Sequence, residues 1–153
     1  MQTQRRSVLK KMLASVAGLA GFGLAAKAID KSNSGKESNN IVYDQEVPLF
    51  AGHTKFGGLV YIAGKGAHFE GDIKSHTDHV LKELEKELIA AGSSMEKVLK
   101  VTVFLNDIAD YKGMNEVYKG RFGKNPPVRT TVAVAKGGVP GDSLVEMDCI
   151  AMA

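Results

Sequence analysis

One helix with a single apolar face, predicted over residues 72–91, constrains the fold most. Its apolar side chains recur at intervals of three and four residues: Ile73, Val80, Leu81, Leu84, Leu88 and Ile89. This spacing places them on one side of an α-helix, which Gly92 is expected to end. Because such a face has to be buried, the helix must pack on another element of the chain.

The remaining apolar segments predict strands on both sides of this helix. Before it, residues 41–64 contain two short apolar runs, and the glycine pair at 57–58 is expected to be the turn between them. After it, alternating β-branched residues over 98–105 predict a third strand. Two more strands are predicted, one from Val128 and one over 143–153, with a glycine-rich turn between them.

A second helix is predicted after the third strand. Asp107 or Asp110 can cap its N-terminus, and Gly123 is expected to end it near Phe122. Its buried side is expected to comprise Met114, Val117, Tyr118 and Phe122. The resulting order of strands and helices predicts an α+β fold with both helices on one face of the sheet.

Residues 1–28 differ in kind from the rest and predict an export signal. Arg5 and Arg6 precede a weakly apolar, glycine- and alanine-rich run that ends in an A-x-A site, as in twin-arginine signals. An ordinary secretory signal or an uncleaved anchor is the alternative. We expect an exported, periplasmic protein with no stable membrane insertion after leader removal. A polar tether, 29–46, then leads to one domain, 47–153.

Charge and cysteine content exclude several classes of function. The chain has 20 Lys and Arg against 17 Asp and Glu, but the predicted leader contains five of the cations and no acid. Without it the net charge is about −2, so nucleic acid is not an expected partner. Cys149 is the single cysteine, which excludes an internal disulfide and a CxxC motif.

A charged residue stands inside each of the last two strands. Arg129 shares one side of its strand with Thr131 and Ala133, and the other side, expected to be the core, carries Val128, Thr130, Val132 and Val134. Glu146 is expected on the same face as Arg129, on the adjacent antiparallel strand. The two form either a structural ion pair or a site in which Arg129 binds a carboxylate and Glu146 acts as a base.

Several segments resemble, in order and spacing, the Rid family (RidA or YjgF) of reactive-intermediate imine deaminases. They are the AAGSS helix exit, KVTVFLND, MNEVYKGRFG, PPVRT and VEMDCIA, within residues 47–151. The resemblance implies a chorismate-mutase-like fold and a homotrimer with clefts between subunits. The partners it implies are a small 2-imino or 2-oxo acid and further copies of the same chain.

The resemblance also implies roles for individual residues. Arg129 would bind the carboxylate of a 2-imino or 2-enamino acid, and Glu146 would position the water that attacks the C=N carbon. The products would be a 2-oxo acid and ammonia, with no metal or organic cofactor. A cleft between subunits would explain why Arg129 points away from its own core.

The chain departs from the family pattern in its first half. Phe50 stands where the family commonly has tyrosine, and Ala63-Gly64-Lys65 stands where it often has Ser-Gly-Gln. Thr131 occupies a position where cysteine is frequent. We therefore expect Phe50, Gly64 and Thr131 to contact the substrate, in a pocket with fewer hydroxyl groups.

Other functions are less favoured but stay open. Four residues on one flank of the first helix have a spacing that could bind zinc, although a solvated charged face is more common: Asp72, His76, His79 and Glu83. His53 and His68, in loop-like segments, are further candidates for substrate contact. A non-catalytic protein that binds small carboxylates and, despite the acidic charge, a ribonuclease are the alternative functions.

Overall fold

The computed structural model describes residues 35–153, so the predicted export signal lies outside the described residues. These residues form six strands and two α-helices: β1 Glu37–Asp44, β2 Val47–Phe56, β3 Leu59–Lys65, α1 Ile73–Ala90, β4 Val98–Leu105, α2 Tyr111–Tyr118, β5 Val128–Ala133 and β6 Val145–Met152. No helix in this part of the chain is long and apolar enough to cross a membrane.

The strands form a single mixed sheet in the order β1-β2-β3-β6-β4-β5. β4 and β5 are parallel, and the other neighbouring pairs are antiparallel. Buried residues of α1 and α2 form one hydrophobic core with buried residues of β3, β4 and β6. The predicted α+β fold with both helices on one sheet face is confirmed.

Helix α1 follows the sequence prediction closely, except that Ile89, which was predicted on the buried face, is 64% exposed. The Asp72 carboxylate accepts a hydrogen bond of 2.8 Å from the Ser75 backbone N–H, which caps the helix N-terminus. Val80, Leu84 and Leu88 are fully buried against the sheet. Gly92 follows the helix with a φ of 77°, a left-handed conformation that glycine adopts without strain.

Helix α2 is shorter than predicted. Asp107 caps a 3₁₀ turn, Ile108–Asp110, by accepting a hydrogen bond of 2.9 Å from the Ala109 N–H, and this turn leads into α2. The helix ends at Tyr118 because the next residue has extended ψ and Gly120 has a φ of 81°. The predicted end near Phe122 is therefore wrong, although Phe122 is buried as expected.

Strand β1 lies in the segment predicted to be a tether, residues 29–46. It pairs with β2 along its length, from Glu37 opposite Lys55 to Asp44 opposite Val47. Most β1 side chains are exposed, so the composition carried little sign of a strand. Backbone hydrogen bonds to β2 hold the segment, and the tether prediction is corrected for residues 37–44.

The two faces of the sheet differ in what covers them. The helix-covered face, which includes Val101 and Val103, is buried. Parallel pairing places Arg129 beside Val101 and Thr131 beside Val103, so both lie on this covered face. The opposite side, here called the open face, carries Val128, whose exposed fraction is 70%. The predicted core face of β5 is thus wrong: alternation shows which residues share a face, but not which face the helices cover.

Candidate functional site

The guanidinium of Arg129 lies beneath α2, held by aromatic side chains. Its central carbon is 4.6 Å from the centroid of the Tyr118 ring and 5.7 Å from that of Tyr111. Nη2 donates a hydrogen bond of 3.2 Å to the Tyr111 hydroxyl, and Nη1 lies 3.9 Å from the Met114 sulfur. Aromatic faces attract a cation without neutralising it, so α2 positions the guanidinium and leaves its charge available.

Two buried hydroxyl groups lie on the same face as Arg129. The hydroxyls of Tyr118 and Thr131 are buried and have no hydrogen-bond partner within residues 35–153. Burial raises the pKa of Tyr118 to about 12, although the charge of Arg129 opposes the shift. Burial likewise raises the pKa of the Cys149 thiol to about 12, so Cys149 is not a reactive thiolate.

Glu146 lies on the open face of β6, where it lines a cavity of about 350 Å³ together with Phe104, Val139 and Pro140. Gly64 on the neighbouring strand β3 faces the same carboxylate. A Cβ atom at Gly64 would overlap the Glu146 carboxylate oxygen, so the carboxylate would have to move if glycine were replaced. The structure thus brings together two of the predicted site residues, Gly64 and Glu146.

Arg129 and Glu146 are not brought together within one chain. Strand β4 separates their strands. On β4, Val101 lies opposite Arg129 and Phe104 lies opposite Glu146, and these two positions are about 10 Å apart along the strand. The two side chains also lie on opposite faces of the sheet. The prediction that they share a face on adjacent strands is wrong, and so is an ion pair between them in one chain.

Both charged groups lack a partner of opposite charge. Neither Arg129 nor Glu146 takes part in an ion pair anywhere in the described part of the chain. Charges held in this way, partly shielded from water but not neutralised, are suited to binding a charged or polar ligand.

Phe50 occupies a third location, on β2 beyond the end of β3. Its side chain is 53% exposed and lines a cavity of about 270 Å³ with Ile41, Pro48 and Leu49. Residues of β2 before His53 pair with β1 alone, so this end of the hairpin extends past the body of the sheet. Its apolar side chains are exposed within the single chain.

A cluster around Glu87 of α1 was not predicted. Its carboxylate accepts hydrogen bonds from Asn40 (2.6 Å), His53 (2.7 Å) and Lys65 (2.9 Å), one from each of β1, β2 and β3. Partial burial by itself would raise the pKa of Glu87, but these hydrogen bonds lower it to about 2. His53 is 3% exposed and lies in a strand, so the expectation of a loop histidine is wrong.

The histidines near the start of α1 do not form a metal site. His76 is buried; its Nε2 lies 2.9 Å from the Phe69 carbonyl, and its Nδ1 accepts a hydrogen bond from the Leu144 N–H. Both ring nitrogens are therefore engaged with backbone. No three His, Cys, Asp or Glu side chains between residues 35 and 153 are placed to hold a metal ion. His68 lines an open cavity of about 470 Å³ near Asp142.

Sequence reasoning did not place the two tyrosines that hold Arg129 in the site, and it predicted Tyr118 only as part of the buried side of the second helix. Tyr111 and Tyr118 are seven residues apart, which places them on one side of α2. That spacing was visible in the sequence, but the pairing of β5 beside β4 was needed to bring Arg129 beneath them.

Comparison with known proteins finds matches over most of the chain. A family profile described as Endoribonuclease L-PSP matches residues 46–153. A RutC family protein of Pyrococcus abyssi is 34% identical over 125 residues, which cover 74% of this chain and 97% of that protein. The chloroplastic Reactive Intermediate Deaminase A of Arabidopsis thaliana is 27% identical over 175 residues, covering 99% of this chain and 91% of that protein.

A solved structure shares the fold. A Mycobacterium tuberculosis protein described as a member of the YjgF/YER057c/UK114 family superposes with a TM-score of 0.61 at 30% sequence identity. The superposition covers 68% of this chain and 86% of that one.

Proposed function

The chain belongs to the endoribonuclease L-PSP family, and from that membership we propose that it hydrolyses reactive 2-imino and 2-enamino acids to 2-oxo acids and ammonia. A relative aligned over nearly the whole chain is named a reactive intermediate deaminase, which supports this reaction class. The observation that carries the proposal is that Arg129 and Glu146, each within a strand of the sheet, take part in no ion pair among the described residues.

Arg129 is the proposed carboxylate anchor. A guanidinium donates two parallel hydrogen bonds to a carboxylate, in a geometry that lysine does not reproduce. The rings of Tyr111 and Tyr118 limit the conformations of the side chain before the substrate arrives. Less side-chain entropy is then lost when the substrate binds, which strengthens binding.

Glu146 is the proposed base that activates water. The iminium carbon is already electrophilic, so the protein has to orient the substrate and a water molecule. Water adds its oxygen to that carbon and gives a proton to Glu146, which passes it to the nitrogen. The C–N bond then breaks with its electrons on nitrogen and ammonia leaves, while the hydroxyl gives its remaining proton to Glu146 and its oxygen becomes the carbonyl of the 2-oxo acid.

We propose that the two groups meet between copies of the chain in a homotrimer. Opposite sheet faces separate them within one chain, so Arg129 of one copy would complete the site around Glu146 of another. The exposed apolar side chains of the open face, including Val128, Val132 and Tyr61, support a protein interface there. Phe50, Gly64 and Glu146 would form one wall of the cleft, and Arg129 and Thr131 the other.

A coupled assay tests the reaction. An amino-acid oxidase generates the 2-imino acid, and semicarbazide traps whatever imine survives. Adding the protein should increase 2-oxo acid and reduce trapped imine. The Arg129→Ala variant should lose this effect, and an Arg129→Ala protein as active as the parent would refute the proposal.

Two alternatives lead to different results. A non-catalytic relative that binds small carboxylates would be protected by pyruvate against thermal unfolding but would not turn over imines. A ribonuclease, the activity in the family's name, would digest RNA. The negative charge of the chain without residues 1–28 disfavours RNA binding. RNA cleavage that disappears in Arg129→Ala would favour this alternative.

We further propose export through a twin-arginine route, from the sequence of residues 1–28. Cell fractionation of the full chain with Arg5 and Arg6 replaced by lysine tests the route. The variant should remain in the cytoplasm, and an unchanged location would refute this proposal without bearing on the chemistry.

A further inference from the structure

Tyr111 is a hydrogen-bond partner of Arg129 that sequence reasoning did not assign to the site, and it offers the guanidinium a hydroxyl oxygen. It is the first residue of α2, and its side chain is 42% exposed. Its hydroxyl accepts a hydrogen bond of 3.2 Å from Arg129 Nη2. A ligand that reaches the guanidinium therefore also reaches this hydroxyl.

The direction of that hydrogen bond leaves the Tyr111 proton free. A phenolic hydroxyl both accepts and donates, whereas a guanidinium only donates. Since Arg129 is the donor, the Tyr111 O–H can donate to a third group. A carboxylate bound to Arg129 would present an acceptor oxygen next to it.

Tyr118 provides an internal contrast. Its ring lies closer to the guanidinium, but its hydroxyl is buried and has no partner in the described residues. Tyr118 can only support Arg129 from below. Tyr111 is accessible and bonded to the guanidinium, so its hydroxyl alone of the two can reach a ligand.

We propose that Tyr111 contacts the substrate directly, donating a hydrogen bond to the same carboxylate that Arg129 binds. This inference rests on the proposed function and deepens it. The site would then bind a carboxylate through two groups, the guanidinium of Arg129 and the neutral hydroxyl of Tyr111 beside it.

Binding of pyruvate, a 2-oxo acid that stands in for the product, tests the inference by calorimetry on the full-length protein. Tyr111→Phe removes only an exposed hydroxyl and should raise the Kd about tenfold, the usual effect of losing one hydrogen bond to a charged group. Tyr43→Phe, an exposed tyrosine of β1, is the matched control and should leave the Kd unchanged. An unchanged Kd in Tyr111→Phe would overturn the inference.

A spectroscopic readout separates direct contact from an effect through Arg129. The chain has four tyrosines and no tryptophan, so beyond the phenylalanine band, and after subtraction of the absorption of pyruvate, its near-ultraviolet difference spectrum reports on tyrosine. Saturating pyruvate should produce a tyrosine signal that is smaller in Tyr111→Phe than in the parent and unchanged in Tyr43→Phe. A full signal in Tyr111→Phe would show that the hydroxyl acts only by positioning Arg129. An Arg129→Ala protein that binds pyruvate normally would instead refute the proposed function.

Discussion

Glu87 and Glu146 are two partly buried glutamates on the same small domain, and they differ in what surrounds them. Glu87 accepts hydrogen bonds from three neighbouring strands, including one from a lysine ammonium group. Glu146 faces a cavity across from Gly64 and has no ion-pair partner within residues 35–153. The charge of Glu87 is compensated by donors of its own chain, whereas the charge of Glu146 is left available to a ligand.

This difference indicates where stability and function reside. A charge compensated by several donors of its own chain fixes the relative position of secondary-structure elements, here α1 and the β1–β3 strands. A charge left without a partner contributes little to the fold and can act on a ligand. The same substitution, glutamate to glutamine, should therefore have opposite consequences at the two positions.

The largest effect is expected from Glu146→Gln, because glutamine cannot accept the proton of the attacking water. We expect kcat for imine hydrolysis to fall by about 10²- to 10⁴-fold, the usual contribution of a general base. The midpoint of thermal unfolding should stay within a degree or two of the parent. If Glu146→Gln retains full kcat in the coupled assay, Glu146 is not the base.

Glu87→Gln should affect stability instead. It leaves Lys65 without its carboxylate partner and removes the negative charge beside His53, so the free energy of unfolding should fall by about 2 kcal/mol. Urea denaturation measures this loss. The kcat of the folded protein should match that of the parent. A large loss of kcat with unchanged stability would show that Glu87 acts in catalysis and does not stabilise the fold.

The pH dependence of stability should follow from Glu87. Its pKa is about 2 in the folded protein and 4.5 unperturbed, so its stabilisation is complete above pH 4.5 and is lost as the pH falls toward 2. The shift corresponds to at most about 3 kcal/mol, which solvent at the cluster's rim reduces. Urea unfolding across this range should show a slope that is smaller in Glu87→Gln. Equal slopes in the parent and in Glu87→Gln would contradict the assignment of this pH dependence to Glu87.

A smaller effect is expected from Phe50→Tyr. If Phe50 lines the proposed cleft, the added hydroxyl should raise kcat/KM by a few-fold, corresponding to about 1 kcal/mol for one neutral hydrogen bond. Stability should change little because the side chain is exposed. Phe56→Tyr, another exposed phenylalanine of β2, is the control and should have no effect on kcat/KM.

Much of the fold could be predicted from the sequence because its signals are local. The apolar periodicity of α1, its Asp72 cap and the glycine after it all act within one helix. The end of α2 depended on the backbone at Lys119 and Gly120, which the apolar pattern through Phe122 concealed. Strand β1 was missed because its pairing with β2, and not its own composition, makes this segment a strand.

The candidate site was less predictable because it depends on topology. The alternation of side chains along β5 correctly grouped Arg129 with Thr131. Which side of β5 the helices cover depends on the strand order, in which β4 lies between β5 and β6. The same insertion separates Arg129 from Glu146. The Glu87 cluster joins residues from four elements, and no local spacing relates them.

Mixing two inactive variants tests most directly whether the site is shared between copies. Arg129→Ala and Glu146→Gln proteins are each expected to be inactive, and they can be unfolded together, refolded and assayed for imine hydrolysis. A cleft that takes Arg129 from one copy and Glu146 from the next would regain both residues in about a quarter of the sites of a randomly mixed trimer. Recovery of about a quarter of the parent activity is predicted. A mixed trimer with no activity would contradict a shared site.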